Sequence, residues 1–288
     1  MKDLSLLSWK EIKETDKGKS IVFVVMAPLE EHGWHLPIGT DLIEGDYWSK
    51  GAMEYIENTE NVNCFYLPPF PIAAASVTEF YGSIHYTMKT TYEVAYGILD
   101  SLRCMEFENI IIIASHADPR HLIAVEKAVR KINRKYGTCA FAPMGQIYMG
   151  EGIHKYQEVN EFENNHKNDF HAGWIETSNM LAINQSLVRK IYQNLPDSEI
   201  SDRDMISNKK QLKAMGEYGY LGEPQYSTSE LGRKLNEECI ESIADATIKF
   251  YNRNGYQKYE HYNLYNILPL HIGFIETFGK VKRKKVSK

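Results

Sequence analysis

The segment Glu30-Glu31-His32-Gly33-Trp34-His35-Leu36-Pro37-Ile38-Gly39-Thr40-Asp41 places three acids and two histidines within twelve residues. Imidazole and carboxylate together are ligand chemistry for Zn²⁺, Mn²⁺ or Fe²⁺. Glu30 and His32 stand two apart, so an extended backbone would send both to one side and Glu31 to the other. Asp41 returns after a Pro/Gly turn, and its two oxygens could bridge two ions. His35 is expected to support these ligands rather than to be one. A second cluster, Ser115-His116-Ala117-Asp118-Pro119-Arg120-His121, repeats the two-residue spacing with His116 and Asp118. One such pair would be weak evidence. Two of them point to a metal site with up to two ions.

His171 is the expected general acid/base, because an imidazole titrates near neutral pH. Ser76 and Trp174 are expected on the substrate side. His85, His121, His154 and His166 have no motif partner and are expected on the surface or in the core. There is no Gly-x-Ser-x-Gly elbow and no glycine-rich phosphate loop, which argues against a serine hydrolase or a nucleotide enzyme.

Both clusters follow short apolar runs rich in β-branched residues. Ser20–Met26 (SIVFVVM) and Asn109–Ala114 (NIIIIA) read as strands buried on both faces of a parallel sheet, with Thr138–Pro143 as a third. The spacing of Val94, Ile98, Leu99 and Leu102 predicts a helix over Thr90–Met105. Leu122–Tyr136 is a second helix, stopped by Gly137. Glu176–Asn184 reads as a short helix and Ser229–Asn252 as a strong amphipathic one. The polar stretch Met149–Asp169 reads as a long loop, and Pro196–Lys210 as surface. Alternating strands and helices imply a right-handed parallel layer, in which ligands collect beyond the carboxyl ends of the strands. The expected fold class is therefore α/β, a single domain with a mainly parallel central sheet flanked by helices. It should span residues 1–252, with a C-terminal extension over 253–288.

Composition agrees. With 43% hydrophobic and 25% charged residues in 288, a disordered or fibrous chain is excluded. A net charge of −5 gives no support for nucleic-acid binding. That figure hides an asymmetry, since Lys280–Lys288 holds six basic residues and no acid, leaving −11 on the rest. The four cysteines form no CxxC pair, so a cysteine zinc site is disfavoured. No apolar run approaches the roughly 18 residues of a membrane span, and the N-terminus does not read as a signal peptide. A cytoplasmic protein with reduced thiols is expected.

The stretch Ala27 to Asp41 resembles the first signature of the creatininase (creatinine amidohydrolase) family, Gly-x-x-Glu-Gln-His-Gly-Pro-His-Leu-Pro-Leu-x-Thr-Asp. Further blocks match in the family's order: Pro68 to Ile84, His171 to Ser178 (His-Ala-Gly-x-x-Glu-Thr-Ser) and Gly219 to Gly232. The resemblance covers about residues 4–250. It implies a metal-dependent hydrolase built on a parallel α/β layer and assembled as a homo-oligomer, usually a hexamer. It further implies a first metal on Glu30, Asp41 and His116, and a second on His32, Asp41 and one more acid. That acid is Asp118 if the chain follows creatininase itself, or Glu176 if it follows relatives with no acid at the second strand end.

The implied reaction is hydrolysis of a small-molecule amide, a cyclic one foremost, by metal-bound water at a binuclear site. The expected cofactors are two divalent ions, Zn and/or Mn with Fe admissible. Expected partners are a small-molecule substrate and copies of the chain, with no nucleic acid and no membrane. His171 and Glu176 are the expected catalytic pair. Ala117 stands where creatininase has an aromatic residue, so a substrate other than creatinine is expected. The alternatives are another carbonyl substrate (formamide, lactone or oxidised cyclitol) or a peptide-processing maturation role.

Overall fold

The computed structural model describes residues 1–75, 80–149, 154–205 and 207–260. In chain order its elements are β1 (Lys2–Asp3), α1 (Trp9–Glu14), β2 (Ser20–Met26), α2 (Thr40–Thr59), β3 (Asn63–Tyr66) and α3 (Met88–Cys104). They continue with β4 (Ile110–Ala114), α4 (Pro119–Tyr136), β5 (Ala140–Phe141), α5 (Met144–Met149), α6 (Gln157–Asn165) and α7 (Trp174–Asn184). The last are α8 (Asp202–Met205), α9 (Asn208–Met215) and α10 (Ser229–Tyr251).

The five strands form one sheet in the order β1-β3-β2-β4-β5, and every pair is parallel. All residues of β2 and β4 are buried, as continuous apolar runs in a doubly covered sheet require. Met26 pairs with Ala114, so the two central strands end side by side. The chain leaves β2 toward β3 and returns across the sheet to β4. The β2/β4 boundary is thus the point where strand order reverses, and a crevice opens outside the strand ends there.

Right-handed crossovers in opposite directions put helices on opposite faces. Accordingly α3 packs on α4, while α10 packs on both α2 and α7. The main core lies between these layers and the sheet, with Phe23, Ile56, Leu99, Ile123, Ile243 and Phe250 fully enclosed. Among the described residues no helix is long and apolar enough to cross a membrane.

Two sequence expectations change, and one helix is new. Helix α4 starts at Pro119 rather than Leu122, because proline suits the first helical turn and Asp118 caps it. The stretch expected as loop over Met149–Asp169 contains α6, where Val159 is buried. Helix α2, whose polar residues masked its period, was not anticipated.

Helix α10 reaches α7 only because residue 232 is glycine. A Cβ at Gly232 would stand 1.8 Å from the Ser178 carbonyl oxygen, and that neighbour is backbone that cannot swing away. Gly232→Ala is therefore expected to cost at least about 1–3 kcal/mol of stability through forced separation of the two helices. Urea denaturation would measure it, and an unchanged midpoint would contradict the packing.

Candidate metal centre

The centre lies where the fold places a crevice. After β2 the chain runs through Glu30 and His32, turns, and enters α2 with Asp41 in its first turn. Beyond β4 comes His116. Glu30 and His32 are 1% exposed, Asp41 2% and His116 8%.

Asp41 stands at the middle. His116 Nδ1 is 3.2 Å from Asp41 Oδ2 and 3.6 Å from Glu30 Oε2. His32 Nε2 is 3.5 Å from Asp41 Oδ1 and 3.7 Å from Glu176 Oε1. Ligand atoms of Glu30, Asp41 and His116 converge within 4.8 Å of one another, as do those of His32, Asp41 and Glu176. A third convergence joins Glu30, His32 and His171.

These atoms fit a cation better than they fit one another. Both oxygens of Glu30, Asp41 Oδ2 and His32 Nε2 are buried without a hydrogen-bond partner. Such orphaned acceptors are costly unless a cation satisfies them. The His32 tautomer agrees. Its Nδ1 lies 3.0 Å from the Glu30 carbonyl oxygen and donates to it, which leaves the Nε2 lone pair facing the carboxylates.

Two close approaches set these positions. A Cβ at Gly45 would fall 2.1 Å from Ser115 Oγ, so glycine lets α2 press against the end of β4. Ser115 Oγ then donates to the Asp41 carbonyl at 2.8 Å, tying the two strand-end segments together. On the opposite side α7 carries Glu176 in its first turn. Glu176 Oε2 accepts from the Ala172 amide at 2.5 Å. Ala172 is held at φ 50, a left-handed conformation that costs an L-residue roughly 1–2 kcal/mol. The strain turns the chain sharply between His171 and Glu176.

The remaining expected residues fall as follows. His171 joins the centre, with its ring 4.6 Å from that of His32. Its Nε2 donates to the Glu31 carbonyl at 2.8 Å and lies 3.4 Å from Glu31 Oε1. Glu31 was expected to face away; instead the turn at Gly33, whose amide it accepts at 3.0 Å, folds its carboxylate back against His171. His35 is in the supporting position expected, bonded through Nε2 to Thr177 Oγ1 at 2.9 Å.

Asp118 does not share in the convergences; its side chain accepts from the Arg120 amide at 2.7 Å. Trp174, read as a pocket wall, is fully buried instead, packed edge-on to Phe162 at 4.9 Å and bonded to the His166 carbonyl. Ser76 lies outside the described residues.

Sequence reasoning missed Glu44. It is 2% exposed, three residues after Asp41 on α2, and therefore on the same helix face. Burial lifts its carboxyl well above the usual range, helped by the Glu176 and Asp41 charges. The signal was the i, i+3 spacing, legible only once α2 is known to be a helix.

A family model, Creatininase: Creatinine amidohydrolase, matches residues 5–247. The chain belongs to the creatininase family. Among solved structures, this family member is similar to a Bacteroides fragilis NCTC 9343 protein assigned as a creatinine amidohydrolase. They share 21% identity and a TM-score of 0.64, over 90% of this chain and 96% of the other. A Zn-Zn form of a mutant creatininase and a Mn creatininase each align at TM-score 0.67 and 17% identity, over 86% of this chain and 98% of theirs. No curated protein sequence matched the chain. The family is one of hydrolases, and its fold here is the creatininase-like α/β fold.

The charge balance yields a test without substrate. Burial pushes Glu30 up to about 7. Against burial, Glu30 and Asp41 hold His116 up at about 10. Both groups carry more protons folded than unfolded. The contributions of these two groups to metal-free stability should therefore fall as pH rises, that of Glu30 from 4.5 to about 7 and that of His116 from 6.5 to about 10, while His35 and His121, held by burial at about 4 and about 3, contribute the opposite slope only below 6.5. Added Zn²⁺ or Mn²⁺ competes with those protons, so the gain in Tm on adding metal should grow over the same range. Thermal denaturation of chelator-treated protein measures both trends. A metal-free protein that gains stability from pH 6.5 to 10 would sink the assignment.

Proposed function

We propose that this creatininase-family hydrolase cleaves the C–N bond of a small-molecule amide, a cyclic amide foremost, at a centre for two divalent ions, zinc or manganese. The observation that carries the reading is the pair of ligand triads sharing one carboxylate. Glu30, Asp41 and His116 would hold one ion, and His32, Asp41 and Glu176 the other. Asp118 is set aside as a ligand because it caps α4. When bound, the ions would polarise a carbonyl and make water a nucleophile near neutral pH.

The chain's own residues would do the rest. Asp41, whose Oδ2 faces His116 and whose Oδ1 faces His32, would belong to both sets. Glu31 holds His171 Nε2, which leaves Nδ1 to carry the proton to the departing nitrogen. Burial and the His32 charge work against a protonated His171, while Glu31 and Glu30 favour it; the net direction is upward. A histidine kept basic in this way suits proton delivery to a leaving amine. His35 and Thr177 brace the rear of the His32 loop.

The same reading places the protein in the cytoplasm as a homo-oligomer, a hexamer by family likeness, with residues 1–252 as one domain. The exposed side chains of Leu6, Trp9 and Tyr81 are at hand for contacts between copies.

Elemental analysis of protein purified without chelator should find two ions per chain. Glu176→Gln should leave one, whereas Asp118→Ala should keep two and lose only about 1 kcal/mol of helix capping. The opposite pattern would transfer the ligand role to Asp118.

A panel of lactams, formamides and lactones, followed by mass spectrometry, tests the reaction. Chelation should abolish turnover, and Zn²⁺ or Mn²⁺ should restore it. His171→Gln should lower kcat by about 10²–10⁴ with metal content intact. Metal-loaded protein that turns over lactones or formamides but no lactam would overturn the cyclic-amide assignment.

A further inference from the structure

His121 is fully buried, yet it takes no part in the ligand convergences found among the described residues. It sits in the first turn of α4, just beyond His116 in the segment that follows β4. Its Nε2 lies 3.0 Å from the Met26 carbonyl oxygen at the end of β2. A carbonyl oxygen only accepts, so Nε2 carries the hydrogen and Nδ1 keeps the lone pair. That Nδ1 is buried and has no hydrogen-bond partner. Burial, with the neighbouring His116 charge, pushes the His121 ring down to about 3, so the lone pair stays free.

His116 presents the opposite need. Its Nδ1 faces Asp41 at 3.2 Å and Glu30 at 3.6 Å. Whether that nitrogen donates to a carboxylate in a charged ring or offers its lone pair to an ion, Nε2 carries a hydrogen. Nε2 is also buried and unpartnered. The two rings are neighbours, with centroids 5.9 Å apart and planes inclined by 50°. An orphaned donor and an orphaned acceptor thus stand on adjoining rings, each assigned from a different contact. Either would be costly alone, and each answers the other. The Met26 carbonyl does not account for the histidine, because it already accepts from the Ser115 amide at 3.3 Å.

We propose that His121 is a positioning residue: its Nδ1 accepts the hydrogen of His116 Nε2 and so holds His116 Nδ1 toward Glu30 and Asp41. A ring displacement of about half an ångström brings the two nitrogens to hydrogen-bond length. The contacts then run from the end of β2 through His121 and His116 to the shared carboxylate. The consequence rests on the proposed metal centre, since an imidazole anchored at its far nitrogen is a better oriented and more basic ligand. His121 itself touches no substrate and moves no proton.

Nitrogen-labelled protein, metal-free and loaded with Zn²⁺, should show a nitrogen–nitrogen coupling across the bond between His116 Nε2 and His121 Nδ1. Its absence from both forms would overturn the inference without any variant. Two substitutions then separate positioning from packing. Glutamine sets its amide where Nε2 stands and asparagine where Nδ1 stands. His121→Gln therefore keeps the Met26 bond and loses the acceptor, while His121→Asn does the reverse. In competition with a chromophoric chelator, His121→Gln should bind one of its zinc ions about 10–100-fold more weakly. His121→Asn should stay close to the unmodified protein. Unchanged affinity in His121→Gln, or an equal loss in both variants, would reduce His121 to packing. A protein that shows the coupling yet binds no Zn²⁺ would refute the metal centre and leave the pairing of the two rings standing.

Discussion

The structure is organised around one carboxylate that cannot be left alone. Asp41 is buried at the end of the sheet, faced by His116 on one side and His32 on the other. Those imidazoles hold its carboxyl far below the usual range despite burial. An ion buried so deeply is tolerated only when opposite charge and hydrogen-bonding capacity surround it. The placement of Asp41 in the first turn of α2 adds the favourable end of the helix dipole. The close approach at Gly45 then brings α2 near enough to the β4 segment for His116 to reach the same carboxylate.

From that constraint the division of labour follows. The parallel strands β2 and β4 supply a rigid frame, since both are buried throughout and paired in fixed register. The segments beyond their ends carry the ligands. Helix α7 brings Glu176 from the far side of the crevice, and its approach is set by the strained turn at Ala172. Around the ligands runs a ring of braces: Glu31 on His171, Thr177 on His35, and the Glu30 carbonyl on His32. Each fixes a ring orientation, and of the three rings those of His32 and His171 converge with Glu30.

Much of this was legible in advance, and the reasons are local. Continuous β-branched runs announced β2 and β4, because a strand covered on both faces has no polar side to show. The amphipathic periods of α4 and α10 were equally plain. Helix α2 was not, since Asp41, Glu44, Asp46 and Tyr47 interrupt its apolar stripe with residues that serve the site or face solvent. Helix α6 was hidden by Asn and Glu content for a related reason: it buries little beyond Val159. Glu31 defeated the alternation argument because that rule assumes an extended backbone, and the chain turns at Gly33.

The amino-acid sequence alone determined which chemistry was possible. It set the imidazole and carboxylate inventory, the two-residue spacing at both strand ends, and the parallel layer that must put those ends together. Only the tertiary structure decided which acid joins which histidine. On paper Asp118, two residues after His116, was the expected metal residue, with Glu176 of the His-Ala-Gly-x-x-Glu-Thr-Ser block as the substitute. Asp118 is drawn into the backbone of α4, where a proline-started helix needs a cap. Glu176 projects from α7 to His32, some 140 residues away in the chain. The same holds for Trp174 and Glu44: one looked like a pocket wall and lies in the core, the other drew no reading and is buried where the Glu176 and Asp41 charges reach it. Spacing along a chain fixes which side chains share a local face. Which distant faces meet depends on how helices pack across the sheet, and here that was settled by the glycines and buried charges at their contacts.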